Sequence, residues 1–97
     1  MIEITEIQDP IAKDVWVTKA EDGKTISHRI MVGHPQTEIK NNDNSGWYCP
    51  VMIEGFLPRI FPAMGVGPVD SLMNAMQLVK TFFDKNKDNF VEIGKEC

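Results

Sequence analysis

Few side chains in this chain of 97 residues could act as a nucleophile or a base, because it has only two histidines and two cysteines. A cysteine nucleophile would be Cys49, with His28 or His34 as its base. Cys49 falls on the apolar side of a predicted strand, where burial raises the pKa of a thiol and keeps it protonated. His28 falls on a predicted core face, and His34 precedes a proline in a predicted loop. We therefore expect that the protein is not an enzyme.

The pattern needed to bind a metal or a cofactor is also missing. A metal site needs three or four converging ligands, whereas the histidines and cysteines are spread from residue 28 to residue 97. The polar stretch 36–46 lacks the spaced carboxylates and the closing glutamate of a calcium loop. Gly65–Pro68 precedes a helix, as a phosphate-binding loop does, but it has no lysine, and Asp70 puts a carboxylate at the phosphate position. We expect no cofactor and no metal.

Length, charge and hydropathy restrict the classes of protein that remain. The 97 residues suit a single domain, 1–97, with an ordered core of about 11–85. No apolar run approaches the ~20 residues of a membrane span, and the first residues show no secretion signal. The net charge of −4 argues against binding to nucleic acid and is compatible with a basic protein partner. Two cysteines do not form a disulfide framework, so we expect a cytoplasmic protein with free thiols.

One strongly helical segment, 70–84, organises the chain. Apolar side chains recur on one of its faces at about 100° per residue: Leu72, Ala75, Met76, Val79, Phe82 and Phe83. Met73 and Leu78 lie on the two shoulders, so the apolar stripe is wide, which is typical of a helix packed across a sheet. Pro68 precedes the segment, and either Asp70 or Ser71 is predicted to cap the first free N–H groups.

A β-hairpin is predicted between residues 11 and 32. Asp22–Gly23 is a strong signal for a two-residue turn of type I′. Such a turn places Val15 opposite Ile30 and Val17 opposite His28, on a face that is mainly apolar. We expect this face to meet the helix and the other face of the hairpin to be largely exposed to water.

On the predicted wet face, Trp16 falls opposite Arg29. The pair is interpreted either as a cation–π contact within the sheet or as part of a binding surface, because tryptophan and arginine are enriched in hot spots. Residues 3–22 contain six acids and two lysines, which indicates a solvated face or an acidic docking surface. The candidate partner-binding residues are Asp14, Trp16, Glu21, Asp22 and Arg29.

The remaining segments predict further strands. A third strand is expected over 47–55, with Trp47, Cys49, Val51 and Ile53 on one side. Pro50 cannot donate to a ladder, which indicates an edge or a bulge. A fourth, broken strand is expected over 59–64, and 90–93 is either a last strand or a docked tail, while 1–10 is a short strand or an irregular lead-in. The predicted fold is α+β, an antiparallel sheet of three to five strands with one long amphipathic helix across one face.

Three motifs carry a family resemblance: Trp47-Tyr48-Cys49-Pro50, then Ile53-Glu54-Gly55, then the helix opening Val69-Asp70-Ser71-Leu72. Together they resemble a family of small bacterial proteins of unassigned function, with a W-x-C-P strand, a glycine turn and a V-D-S-L helix. The resemblance covers roughly residues 11–85 and implies a bacterial, cytoplasmic origin and a compact sheet-plus-helix domain. It implies no catalytic residues.

In size, acidity and lack of an active site the chain is also similar in kind to bacterial toxin-immunity proteins. The leading hypothesis is a protein-binding module without catalytic activity, most concretely an immunity protein that neutralises a cognate toxin, such as a basic nuclease domain. One alternative is a self-associating structural subunit, a homodimer formed through an edge near Pro50. The other is a small-ligand-binding protein or an enzyme that uses Cys49, His28 or His34.

Overall fold

A computed structural model describes residues 4–37 and 46–91 of the chain. Five strands form one antiparallel sheet in the order β1-β2-β4-β3, with β5 also paired to β4. One long helix and a short 3₁₀ turn follow, which confirms the α+β prediction. The elements are β1 (Ala12–Lys19), β2 (Thr25–Val32), β3 (Gln36–Thr37), β4 (Trp47–Ile53), β5 (Phe61–Gly65), α1 (Pro68–Asn86) and the 3₁₀ turn (Lys87–Asn89).

Some predictions fall on other parts of the chain. The stretch 38–45 of the expected loop, residues 1–3 of the expected lead-in and residues 92–93 of the expected last strand lie outside the described residues. Residues 4–10 form no strand, and Ile7 lies against Gly33 and Pro50. No helix in the described part of the chain is long and apolar enough to cross a membrane.

β4 is the central strand of the sheet. β5 pairs with β4 from Trp47 to Val51, so β2 and β3 must share the opposite edge of β4. Gly33, between β2 and β3, donates its N–H to the carbonyl of Pro50 at 2.8 Å. The pairing register with β4 differs by one residue between β2 and β3, on the two sides of Gly33. Pro50 therefore lies at a break in the neighbouring strand, and the alternative prediction that it marks a sheet edge is wrong.

The hairpin between β1 and β2 has a longer loop than predicted. The N–H of Gly23 donates to the carbonyl of Ala20 at 3.0 Å, and the N–H of Ala20 donates to the carbonyl of Lys24 at 2.7 Å. Gly23 has a φ of 88°, a left-handed conformation that glycine adopts without strain. This is a three-residue loop, a type I turn followed by a left-handed glycine, and not the predicted type I′ turn.

The longer loop moves the register of the hairpin by one residue. Trp16 lies opposite His28, and Val15 lies opposite Arg29. Because successive side chains of a strand point to opposite faces, the shift exchanges the two faces of β1, while His28 and Ile30 of β2 stay in the core as predicted. The predictions that Val15 faces Ile30, that Val17 faces His28 and that Trp16 faces Arg29 on a wet face are therefore wrong.

α1 packs across the β4–β5 half of the sheet through small side chains. Ser71 and Ala75 are fully buried, and a Cβ added to Gly65 would lie 2.4 Å from the backbone nitrogen of Ser71. Glycine and alanine in β5 thus let the helix approach the sheet closely. The buried apolar side chains form one core: Trp16, Ile30, Val32, Cys49, Val51, Ile53, Ala63 and Ala75.

The start of α1 differs from the prediction in its cap. Gly67 is the N-cap residue and provides no side chain, and Pro68 begins the helix. Asp70 lies inside the first turn, where its Oδ2 accepts the N–H of Val66 at 2.9 Å. Ser71 Oγ donates to the carbonyl of Pro68 at 3.0 Å. Gly67 is the N-cap, so the prediction that Asp70 or Ser71 caps the helix is wrong. Proline suits the first helical position, because that position needs no N–H donor.

Candidate functional site

The apolar stripe of α1 is wider than the surface that the sheet covers. Leu72 and Val79 are half-buried against the core, whereas Met73 is 63% exposed, Met76 46% and Phe83 38%. The helix contacts the sheet through the side that carries Ser71 and Ala75, so the far side of the stripe projects beyond the β4–β5 half. This uncovered flank is the first half of the candidate site.

Trp16 on β1 forms the other half. Its indole is 7% exposed and packs against three phenylalanine rings. The ring centroids lie 5.6 Å from Phe83 in a T-shaped contact, 5.3 Å from Phe90 and 6.3 Å from Phe56. Aromatic pairs at these separations are favourable beyond the area that they bury. The cluster holds the edge strand β1 to the end of α1.

The β1–α1 groove lies between these two halves and has a volume of about 720 Å³. Its lining is mostly apolar, and it opens to solvent along the exposed side of α1. Such a size lies within the range of ligand-binding clefts, and an open apolar groove is also typical of a surface that receives a protein segment. The groove is lined by Asp14, Trp16, Leu72, Met73, Met76, Gln77, Val79, Lys80 and Phe83.

The charges at the groove are unequal. Lys80 Nζ donates to both carboxylate oxygens of Asp84, at 2.9 and 3.0 Å, so its charge is already matched within α1. Asp14 Oδ1 accepts the N–H of Val15 at 2.7 Å, and within 4–37 and 46–91 no cation forms a salt bridge with Asp14. The groove therefore carries a carboxylate that is not neutralised by a salt bridge within the described ranges.

Arg29 lies on the opposite face of the sheet and pairs with Glu54. Its Nη2 and Nε donate to Glu54 Oε2 at 2.9 and 3.2 Å, and its backbone N–H donates to Oε1 at 3.0 Å. Hydrogen bonds from Arg29 lower the pKa of the Glu54 carboxyl below its usual value. The predicted cation–π contact with Trp16 is wrong, because the hairpin register sends the two side chains to opposite faces.

Of the five candidate partner-binding residues, the structure brings two together. Asp14 and Trp16 line the groove. Glu21 and Asp22 lie at the far tip of the hairpin, where Asp22 Oδ1 accepts the N–H of Lys24 at 2.9 Å. Arg29 is on the other face. Sequence reasoning missed the exposed flank of α1, although the width of the predicted apolar stripe already indicated more apolar surface than a sheet contact needs.

His28 is a buried core residue with both ring nitrogens hydrogen-bonded. Nδ1 lies 2.8 Å from the carbonyl of Glu54, and Nε2 lies 2.8 Å from Thr18 Oγ1. The carbonyl can only accept, so Nδ1 donates to it, and Nε2 pairs with the threonine hydroxyl, which can donate or accept. This confirms the prediction of a core histidine whose polar atoms are satisfied.

The other groups considered for chemistry are kept apart. Cys49 is fully buried, its Sγ donates to the carbonyl of Gly33 at 3.1 Å, and burial raises the pKa of its thiol. His34 Nε2 lies 3.7 Å from Asp9 Oδ2 at the surface. Across the described ranges, no three histidine, cysteine or acidic side chains are grouped as metal ligands are.

Comparison with known proteins gives no relative, since no family model, no curated protein and no solved structure matches the chain.

Proposed function

We propose that the protein is a binding module whose β1–α1 groove receives an apolar segment of a partner protein. The observation that carries this proposal is the uncovered flank of α1, formed by Met73, Met76 and Phe83, beside the indole of Trp16. Large apolar side chains that converge on one open groove are typical of interaction sites, whereas single exposed ones are ordinary.

The energetics favour a protein partner. Fully burying a large apolar side chain contributes about 1.5–3 kcal/mol, so completing the burial of three half-exposed side chains contributes roughly 2–5 kcal/mol to binding. Methionine side chains adapt to irregular apolar surfaces. Trp16 is only 7% exposed, so it forms a wall of the groove and the newly buried area comes from the flank of α1.

The charge of the chain favours a basic partner. The net charge is −4, and Asp14 presents a carboxylate at the groove. Long-range attraction between unlike charges raises association rates and is weakened by salt. A partner segment with a lysine or an arginine beside its apolar side chains would match the groove in both respects.

In its most specific form, the proposal is a bacterial cytoplasmic immunity protein that binds and neutralises a cognate toxin, such as a basic nuclease. Support comes from the small acidic chain, the apolar groove and the likeness in kind to immunity proteins. An inhibitor of this sort works by covering its target, so it needs a stable surface and no catalytic group.

The test is co-expression of the tagged protein with the adjacent open reading frame, followed by purification of the complex. We expect a stoichiometric complex with a basic protein, and rescue of growth if that protein is toxic. Met76→Glu puts a charge into the groove and should abolish capture. Val66→Glu, at a site that is 92% exposed and outside the groove, is the matched control and should capture the partner normally. Equal capture by both variants would refute the role of the groove.

A further inference from the structure

β5 forms an outer edge of the sheet, because within the described ranges it pairs only with β4. Pro62 on β5 lies opposite Pro50 on β4. The carbonyl of Pro50 faces the β2 side, where it accepts from Gly33, so the backbone of Pro62 faces away from β4. Proline at that position removes the N–H that an added strand would need. The β5 edge is therefore protected against pairing.

β1 forms another outer edge, and the chain itself pairs with part of it. The N–H of Ala20 donates to the carbonyl of Lys24, on the β2 side. Backbone N–H and C=O groups alternate in direction along a strand, so in β1 those of even-numbered residues face β2 and those of odd-numbered residues face outwards. Val17 accepts at this outer edge the N–H of Val91 at 2.7 Å, next to an antiparallel bridge between Thr18 and Phe90.

The docked segment Phe90–Val91 also places a side chain against the end of the β1–α1 groove. The ring of Phe90 lies 5.3 Å from Trp16 and 5.3 Å from Phe83, centroid to centroid. Two residues thus combine a backbone hydrogen bond to the edge of β1 with an apolar contact to residues that line the groove. The same combination characterises recognition of a peptide as an added strand.

Further along the same edge, Lys13 and Val15 present their backbone groups outwards. The N–H of Val15 donates to the side chain of Asp14 at 2.7 Å. In the part of the chain that the structure describes, no strand pairs with this stretch of β1 on its outer side. Asp14 and Trp16, which line the groove, alternate with these two residues, so an added strand here would lie directly beside the groove.

We propose that the partner binds as an extended strand along Lys13–Val15 of β1, in line with the docked Phe90–Val91. Its alternate side chains are apolar and enter the β1–α1 groove, and a flanking basic side chain meets Asp14. This inference rests on the proposed function, and it names the conformation and the pattern of the partner segment. Continuity with the docked segment, together with the alternation of Lys13 and Val15 with the groove residues of β1, favours this edge and an extended occupant.

A synthetic peptide, Lys-Thr-Phe-Thr-Val-Thr-Lys, tests the proposal on the full chain by amide hydrogen exchange. Its phenylalanine and valine lie on one side of a strand. In the free protein, the Lys13 amide should exchange much faster than the Asp14 and Trp16 amides, which bond to β2. The peptide should protect the Lys13 amide, and a version with proline replacing the central threonine should protect it about tenfold less well. Protection of Lys13 in the free chain, or equal effects of both peptides, would overturn strand addition.

Val15→Pro and Met76→Glu separate this inference from the proposed function. Val15→Pro reproduces on β1 what Pro62 does on β5, and it should weaken peptide binding and partner capture about tenfold. Thermal unfolding checks that the Val15→Pro variant folds. If the variant does not fold, the comparison of the two peptides provides the test instead. Loss of capture in Met76→Glu with normal capture in Val15→Pro would overturn strand addition alone. Normal capture in Met76→Glu would overturn the proposed function as well.

Discussion

At the scale of single residues, Glu54 connects the outer face of the sheet to the core. Its carboxylate accepts three hydrogen bonds from Arg29, and its backbone carbonyl accepts from His28 Nδ1 at 2.8 Å. The hydrogen bonds from Arg29 lower the pKa of Glu54 in the folded state. A lowered pKa means that the ionised carboxylate stabilises the fold above the unfolded pKa and that this contribution is lost as the pH falls through the folded pKa.

Glu54→Gln should therefore remove part of the acid sensitivity of the fold. Between about pH 5 and pH 3, around the ordinary glutamate pKa, the wild-type free energy of unfolding should fall more steeply than that of the variant. Urea unfolding at a series of pH values measures both slopes. Glu6→Gln, in the exposed lead-in, is the control and should keep the wild-type slope. Parallel curves for wild type and Glu54→Gln would contradict the pKa argument.

Gly65 shows how one missing side chain sets the distance between helix and sheet. We expect Gly65→Ala to lower the free energy of unfolding by about 1–3 kcal/mol, the usual cost of overpacking, because its Cβ would overlap the backbone of Ser71. Gly67→Ser is the control, since nothing lies within 4 Å of a Cβ there and serine is a favoured N-cap. Chemical unfolding of both variants measures the difference, and an unchanged Gly65→Ala would mean that α1 lies farther from β5.

At the scale of elements, α1 has two apolar sides with different tasks. The side with Ser71 and Ala75 is fully buried against the sheet, and the side with Met73 and Met76 remains exposed at the groove. One helix thus supplies both the core contact and one wall of the β1–α1 groove. The apolar stripe alone does not separate these tasks, because both sides belong to the same hydrophobic periodicity.

A pair of aspartate substitutions separates the two sides of α1. Ala75→Asp buries a charge without a partner, which costs several kcal/mol and should unfold the protein. Met73→Asp, at a position that is 63% exposed, should change the free energy of unfolding by less than about 1 kcal/mol while it weakens partner capture. Circular dichroism melting distinguishes them, and a folded, cooperatively melting Ala75→Asp would show that this side of α1 is not the buried one.

At the scale of the whole molecule, a segment distant in sequence completes the aromatic cluster. Phe90 follows α1 and its 3₁₀ turn, yet it packs on Trp16 in the first strand and pairs next to Thr18. The molecule is elongated, 53 × 23 × 22 Å, and this contact holds the edge strand to the end of the helix. Trp16 is buried because rings from three other parts of the chain converge on it: Phe56 after β4, Phe83 on α1 and Phe90 after α1.

Phe90→Ala should therefore expose Trp16 and lower the free energy of unfolding by about 1–3 kcal/mol. Acrylamide quenching in a Trp47→Phe background reports on Trp16 alone, because the chain has two tryptophans. The quenching constant should rise in Phe90→Ala. Val69→Ala is a suitable control, because Val69 lies at the exposed start of α1. Unchanged quenching would show that Phe90 does not cover the indole.

Hydrophobic periodicity and turn residues in the sequence were sufficient to predict the α+β class, a helix over 70–84, the two faces of β4 and a histidine on the core face. These features are determined by residues that are close together in the sequence, so the sequence alone is enough to predict them. In the structure the helix is longer, Pro68–Asn86. The hairpin register depends on one residue more or less in a loop, and Asp22–Gly23 is compatible with both loop lengths. That single residue decides whether Trp16 lies in the core or in water.

The candidate site was decided by tertiary structure for the same reason. Asp14 and Trp16 were identified from their residue types, but only the register places them beside α1 and sends Arg29 to the other face. The position of α1 on the sheet decides which part of its apolar stripe stays uncovered. The small residues Gly65 and Ala63 allow α1 to pack closely on β5. Close packing between segments distant in sequence settles this position, and local propensity carries no information about it.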